Sequence, residues 1–209
     1  MTLHITANVE RWPVDGQFII ARGAKEYVDL LVVAVSDGQH IGYGEGTAIY
    51  YCGETAEKCL AQVEHVIPLL RDTTPRDARG IAQSALSAGA ARNALDCALW
   101  ALEAQHSGKP VWELAGLDPP RPLLSTLTLG ADAPEVMAAA ALTLDPLAPV
   151  KVKLTGDLAL DSARVAAIRA ARPEAWIGVD ANQGYDRASL EQLLPVLMAH
   201  GISQLEQPL

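Results

Sequence analysis

Three short motifs in this 209-residue sequence carry side chains suited to acid–base and metal chemistry. "VKVKL" contains Lys151 and Lys153, "VDANQ" contains Asp180 and Asn182, and "LEQPL" contains Glu206. Each motif comes at the end of a predicted strand, where residues two apart share one face. Because the carboxyl ends of parallel strands meet at one edge of a sheet or barrel, the motifs predict a single rim of charged groups.

The residue types on this rim predict metal-assisted proton transfer. Two carboxylates with a nearby amide are hard oxygen ligands, which suit Mg²⁺. A lysine beside a second lysine and a divalent cation has its ammonium form disfavoured, so its pKa is expected to fall and its amine can act as a base. Such a base would remove the proton next to a metal-bound carboxylate, and the metal would stabilise the resulting enediolate.

Each motif alone has an ordinary structural explanation. A Lys-x-Lys pair at a strand end usually forms a solvated face, and Asp-Ala-Asn is often a turn or a helix cap. The functional interpretation therefore depends on finding all three motifs on consecutive strands.

The first 120 residues change from β to helical character. Up to about residue 52 the sequence is rich in β-branched runs, and Asp37-Gly38 between two of them predicts a hairpin. "GYGEG" at 42–46 lacks the spacing of a dinucleotide-binding loop and is assigned to a turn. From about 53 to 120 the pattern is helical, with one long alanine-rich helix predicted over 81–106 and ended by Gly108.

From about residue 123, strands and helices alternate. The predicted strands are "LLSTLTLG", "PVKVKLTG", "AWIGVDAN" and "SQLEQPL", with a helical segment between each pair. This alternation predicts an α/β fold with parallel strands and right-handed crossovers. A doubly wound sheet and a (β/α)8 barrel both give this pattern, so periodicity leaves both open.

Composition disfavours several kinds of partner and site. The net charge of −9 disfavours a nucleic-acid partner or an anionic membrane partner. Three cysteines without C-x-x-C spacing, and an N-terminal segment without the features of a secretory signal, predict a cytoplasmic protein. The five histidines are scattered without an i, i+4 pair, so no zinc site is predicted.

The motifs together resemble the enolase superfamily, in its muconate lactonizing enzyme subgroup, and within it the dipeptide epimerases of the L-Ala-D/L-Glu type. The matching segments stand in family order: "RGAKE", "GYGEG", "GAARNALDCALW", "GKPVWELAG", "KVKL", "VDANQGY" and "LEQPL". The resemblance implies an α/β fold with an α+β cap. An enolase-like capping domain is expected over 1–120, and the first half of a modified TIM barrel, about four βα units, over 121–209.

The resemblance also implies roles for the rim residues. Lys153 is expected to be the general acid/base on one face of the substrate α-carbon, with Lys151 as its auxiliary. Asp180 and Glu206 are expected to bind Mg²⁺, and Asn182 to support that site. The family's third metal ligand and second acid/base lysine would follow residue 209, so the chain is expected to be an N-terminal fragment.

Two further positions are implied to contact a small-molecule substrate, an acidic dipeptide. Arg22 resembles the residue that meets the distal carboxylate, and Thr126 in "STLTLG" is expected where the first barrel strand approaches the substrate. Homo-oligomers are common in the family. Two alternatives stay open: an enzyme resembling o-succinylbenzoate synthase or muconate cycloisomerase, and a non-catalytic truncated domain.

Overall fold

A computed structural model describes residues 2–20 and 23–209, with side chains described for 2–14 and 26–209. The chain divides into two units, Met1–Pro13 with Tyr27–Arg121 and Val14–Glu26 with Pro122–Leu209. The assignment of residues 1–120 to a capping domain and 121–209 to a partial barrel stays a prediction.

The first unit contains an antiparallel hairpin. Its sheet has the order β1 (His4–Ile20), β2 (Gly23–Ser36), β3 (Ile41–Thr47). β2 pairs antiparallel with β3 up to Ser36 opposite Ile41. In the turn, Asp37 Oδ1 accepts hydrogen bonds from the N–H groups of Gln39 and His40, both at 2.8 Å. The predicted hairpin is confirmed.

Helices follow the hairpin along the chain. In the described part of the first unit they are α1 (Ala56–Leu70), α2 (Pro75–Ala85), α3 (Ala90–Ser107) and α4 (Val111–Leu114). α3 ends at Gly108 in the left-handed region, as predicted. None of the described helices has the length and apolar character that a membrane-crossing segment needs.

The alanine-rich stretch is not one helix over 81–106, so that prediction was wrong. The chain leaves the helical conformation at Leu86, and α3 begins at Ala90 after an extended Gly89. Glu54 Oε1 accepts a hydrogen bond from the Ala90 N–H at 3.1 Å, which places a carboxylate at the new helix N-terminus. A Cβ on Gly89 would collide with the same carboxylate. The break therefore coincides with the helix N-terminus that Glu54 caps.

Glycines in β3 bring the strand backbone against α3. Every second residue of β3 is glycine, and the facing residues of α3 are alanines four apart: Gly42 with Ala98, Gly44 with Ala94, Gly46 with Ala90. A Cβ on any of these glycines would collide with the backbone of its partner. Two strand residues advance about 6.8 Å and four helix residues about 6 Å, so the two repeats stay in step. "GYGEG" is thus a packing strip within a strand, and its assignment to a turn was wrong.

The second unit contains a parallel sheet in the order β4-β5-β6-β7. Its strands are β4 (Leu127–Leu129), β5 (Val150–Lys153), β6 (Ile177–Asp180) and β7 (Gln204–Glu206). The helices between them are α5 (Pro134–Thr143), α6 (Leu158–Ala171) and α7 (Arg187–Ala199). Consecutive strands are parallel and joined through one helix each, which confirms the predicted alternation.

The two faces of this parallel sheet differ in character. One face is apolar and packs against the helices, with Leu129, Val150, Val152, Ile177 and Val179 in its core. On the other face, the register aligns Thr128, Lys151, Gly178 and Gln204 in one row and Lys153, Asp180 and Glu206 in the next. Since parallel sheets are usually apolar on both faces, a charged face points to a functional surface.

Candidate active site

Lys153, Asp180 and Glu206 form a row at the carboxyl ends of β5, β6 and β7. The register pairs Lys153 with Asp180 and Asp180 with Glu206, and each is the last residue of its strand. Lys151 lies two residues earlier on the same face, opposite Gly178. The structure therefore brings together the lysine pair and the two carboxylates that the motifs placed on one rim.

Direct contacts join these four side chains. Lys153 Nζ donates to Asp180 Oδ2 at 2.6 Å, and Lys151 Nζ donates to Glu206 Oε2 at 2.6 Å. Lys151 Nζ also lies 3.1 Å from Asp180 Oδ2. The Asp180 side chain is 2% exposed, whereas that of Glu206 is 37% exposed, so the rim is buried at its centre and open at one end.

The surrounding charges favour the ionised forms of Asp180 and Lys151. Burial works to raise the pKa of Asp180, but hydrogen bonds from Lys153, the Asn182 N–H and Lys151 outweigh it and hold that pKa below its ordinary value. Burial likewise works to lower the pKa of Lys151, but Glu206 and Asp180 outweigh it and raise that pKa.

Unusual backbone conformations follow the two acidic strands. Asn182, Gln183 and Gln207 have positive φ angles of 46°, 63° and 41°, a region that L-residues rarely adopt. The Gln183 N–H donates to the Gln207 carbonyl at 2.8 Å, which ties the two loops together. The Asn182 N–H donates to Asp180 Oδ1 at 3.0 Å. Asn182 therefore supports the carboxylate through its backbone.

A buried aspartate that the sequence pattern did not reveal lies behind the rim. Asp161, fully buried in the first turn of α6, accepts hydrogen bonds from the N–H groups of Thr155 and Gly156, which follow β5. Its Oδ2 also accepts from the Tyr185 hydroxyl at 2.6 Å, in the loop after β6. Asp161 thus links the loops that follow the Lys153 and Asp180 strands. Acidic residues are common in the first turn of a helix, where they interact favourably with the helix dipole. The sequence around Asp161 therefore did not indicate a buried network.

Arg164 extends this network to a third loop. Its Nη1 donates to Asp161 Oδ1 at 2.7 Å, and its Nε donates to the Asp132 carbonyl after β4 at 2.7 Å. Both side chains of the ion pair are at least nine-tenths buried. The loops after β4, β5 and β6 are therefore held by one buried pair.

Thr126 lies just before β4 rather than at the carboxyl rim. It is exposed, and it lines a cavity of about 240 Å³ with Lys151, Glu206, Gly178 and Trp176. The Trp176 ring packs against Gly178 so closely that a Cβ there would collide with it. The cavity thus extends from Thr126 to the open side of the rim. Its role in substrate binding stays a prediction.

Arg22, the second predicted substrate contact, lies outside the described residues. The other predicted site residues all lie in the second unit. Among them, Asp180 and Glu206 are the groups that could hold a divalent cation. Their carboxylates end neighbouring strands, and both lie close enough to contact one cationic group, the Lys151 Nζ.

Family models match most of the chain. One described as mandelate racemase / muconate lactonizing enzyme, N-terminal domain, matches residues 3–116, and one described as enolase C-terminal domain-like matches residues 135–209. L-Ala-D/L-Glu epimerase of Escherichia coli (strain K12) is 36% identical over 200 residues. That alignment covers 96% of this chain and 61% of the relative.

Solved structures of related enzymes superpose closely. An enolase family member from Agrobacterium tumefaciens with homology to dipeptide epimerases, with bound sodium and L-Ala-L-Glu, has a TM-score of 0.87 at 36% identity, covering 99% of this chain and 62% of that one. A dipeptide epimerase from Methylococcus capsulatus, complexed with Mg and L-Arg-D-Lys, has a TM-score of 0.85 at 31% identity, covering 100% and 62%. The chain thus spans 61% to 62% of the length of these relatives.

Proposed function

The chain belongs to the mandelate racemase / muconate lactonizing enzyme family, and we propose that the protein is a magnesium-dependent dipeptide epimerase of the L-Ala-D/L-Glu type. The predicted enolase-superfamily fold, with an N-terminal cap and a partial barrel sheet, is confirmed. The observation that carries the functional proposal is the row of Lys153, Asp180 and Glu206, with Lys151 in contact with both carboxylates. As part of it, we assign residues 1–120 to the capping domain and 121–209 to the partial barrel.

Asp180 and Glu206 are the proposed magnesium ligands, and Asn182 supports Asp180. The fit rests on the donor set, because ionised carboxylates on adjacent strand ends are the oxygen ligands that Mg²⁺ prefers. A related dipeptide epimerase structure contains Mg. When bound, Mg²⁺ would neutralise the substrate carboxylate and so make the adjacent α-proton more acidic. It would also compete with the two lysine ammonium groups that contact Asp180 Oδ2 in this structure.

Lys153 is the proposed base for one face of the substrate. In this role its Nζ takes the α-proton and returns it, and its side chain, 11% exposed, keeps most water away from the amine. Lys151, whose Nζ contacts the same Asp180 oxygen, provides a second positive charge that would help to stabilise the enediolate. Inversion also needs a proton donor on the opposite face of the substrate.

An acidic dipeptide is the proposed substrate. Related proteins act on or bind dipeptides of different charge, since one binds L-Ala-L-Glu and another L-Arg-D-Lys. We assign Arg22 to the distal carboxylate because an acidic protein needs a cation to hold an anionic ligand. Homo-oligomer formation and a cytoplasmic location stay predictions.

Hydrogen exchange at the α-carbon tests the reaction. The protein is incubated with Mg²⁺ and L-Ala-L-Glu in D₂O, and proton NMR follows the glutamate α-proton together with the formation of L-Ala-D-Glu. We expect loss of the α-proton signal, and a decrease of this rate by about 10² to 10⁴ in Lys153→Met, which lacks the base. Lys109→Met, which removes a lysine from an exposed pair with Glu113, is the matched control and should exchange at the wild-type rate.

Separate outcomes test the base, the substrate and the enzyme class. Wild-type exchange in Lys153→Met would show that another group is the base. Equal exchange with L-Ala-L-Glu and L-Arg-L-Lys would contradict selection of acidic dipeptides, as would an Arg22→Met variant with unchanged KM. Cycloisomerisation or dehydration without exchange of any dipeptide would favour the o-succinylbenzoate synthase or muconate cycloisomerase alternative.

A further inference from the structure

Two histidines and an aspartate meet in the first unit, although sequence spacing predicted no such cluster. Asp37 Oδ2 lies 2.9 Å from His106 Nδ1 and 3.4 Å from His40 Nδ1. The ligand atoms of the three residues all lie within 4.8 Å of one another. Asp37 and His106 are 69 positions apart in the chain, so only the fold brings them together.

Backbone hydrogen bonds and helix packing fix the residues of this cluster. Asp37 Oδ1 is fixed by the N–H groups of Gln39 and His40, which leaves Oδ2 facing both imidazoles. His106 lies in the last turn of α3, whose preceding residue Gln105 donates to the Ile41 carbonyl at 2.7 Å. The glycine strip of β3 holds the same helix against the hairpin. The distances among the three side chains are therefore set by the packing of α3 on β3.

We propose that Asp37, His40 and His106 bind a divalent transition-metal ion of the Zn²⁺ class. Two ligands of a tetrahedral Zn²⁺ with bonds of about 2.0 Å stand roughly 3.3 Å apart, which is close to the observed nitrogen–oxygen distances. Two imidazoles and one carboxylate suit Zn²⁺, Ni²⁺ or Co²⁺ better than Mg²⁺. The Asp37 side chain is 4% exposed, but those of His40 and His106 are 35% and 52% exposed, so the ion can enter and keep a water ligand.

Binding replaces the hydrogen bonds seen here. Each Nδ1 now faces a carboxylate oxygen, and an imidazole that binds metal through Nδ1 must carry its proton on Nε2 instead. The metal would join the β2–β3 turn to the end of α3. This proposal is independent of the proposed epimerase activity, because all three residues lie in the first unit.

Metal titration of the untagged protein tests the site. Zn²⁺ binding is measured by calorimetry, and Co²⁺ binding by the visible absorption that tetrahedral coordination produces. Both titrations are run in a D180N/E206Q background, so that the rim carboxylates contribute no site. We expect one equivalent of tight binding, weakened at least about tenfold in His106→Ala and in His40→Ala.

The matched control is His65→Ala, which removes an exposed histidine of α1 in the same unit. It should bind Zn²⁺ like its D180N/E206Q parent. Binding that His106→Ala leaves unchanged, or that His65→Ala weakens equally, would overturn the proposal, as would an absence of binding in the parent. Circular dichroism of each variant shows that lost binding does not come from unfolding, because exposed His106 can be truncated without opening a core.

Discussion

The two sheets of this chain have surfaces of contrasting chemical character. The glycines of β3 pack against α3, so that contact is made between backbones. β5, β6 and β7 offer lysines and carboxylates, so contacts on that face are made between charges. The first surface is specified by shape and excludes any side chain. The second is specified by electrostatics, which is chemically useful and contributes less to stability. The two surfaces should therefore respond to mutation in different ways.

The largest loss of stability is expected behind the charged face, at Asp161. Asp161→Asn removes the charge that pairs with buried Arg164, and a buried charge left without its partner typically costs about 3–5 kcal/mol. Hydrogen exchange measured by mass spectrometry should show lost protection in peptides of α6 and of the loops after β5 and β6.

Asp157→Asn is the control for this change, four residues earlier. Asp157 caps α6 by accepting from the Leu160 N–H, and asparagine caps a helix about as well. Its protection should therefore match the wild type. If Asp161→Asn were equally harmless, the charged face would not depend on the buried pair.

The second largest loss of stability is expected from overpacking in the glycine strip of β3. Gly44→Ala places a Cβ against the backbone of α3, and we expect a cost near the upper end of about 1–3 kcal/mol. Urea unfolding gives the change. Gly80→Ala is the opposite case, because Gly80 lies within α2 with open space around it, and alanine should stabilise that helix by about 0.5–1 kcal/mol. Changes of the same sign at both glycines would contradict the shape argument.

Sequence was sufficient for the parts of the fold that depend on local pattern. The motifs at the ends of β5, β6 and β7 placed Lys153, Asp180 and Glu206 on one rim, because the carboxyl ends of parallel strands meet at one edge of a sheet. The Asp37-Gly38 hairpin and the helix end at Gly108 also follow from residues that lie within the turn or cap itself.

The features that sequence missed depend on partners far along the chain. Alanine propensity favoured one helix over 81–106, but Glu54, 36 positions before Ala90, caps a separate helix there. The packing role of "GYGEG" depends on the alanines of α3, which lie far along the chain. Asp161 and the Asp37–His106 contact were missed for the same reason, because single-sequence patterns do not report tertiary contacts.

Tyr185→Phe tests a smaller part of the support behind the charged face. The Tyr185 hydroxyl donates to Asp161, and removing a hydrogen bond to a charged group should cost about 1.5 kcal/mol. Burial, and then the hydrogen bond to Asp161, raise the pKa of Tyr185 above its ordinary value.

The raised pKa adds a dependence on pH. The unfolded chain loses the phenol proton near pH 10, whereas the folded chain retains it, so this contribution is complete below about pH 10 and is lost as pH rises further. Melting temperatures should therefore fall more steeply above pH 10 in the wild type than in Tyr185→Phe. Parallel curves would mean that Tyr185 titrates normally.

The smallest change in stability, with a large change in activity, is expected on the charged face itself. Lys151 and Glu206 are 25% and 37% exposed, and pairs this accessible contribute about 0–1 kcal/mol. Lys151→Met should therefore keep the wild-type urea midpoint while α-proton exchange falls about a hundredfold, since a charge placed for the reaction is lost. Lys109→Met should change neither quantity. A marked loss of stability in Lys151→Met with unchanged exchange would make the rim a structural ion-pair network, and the contrast between a surface specified by shape and one specified for chemistry would no longer hold.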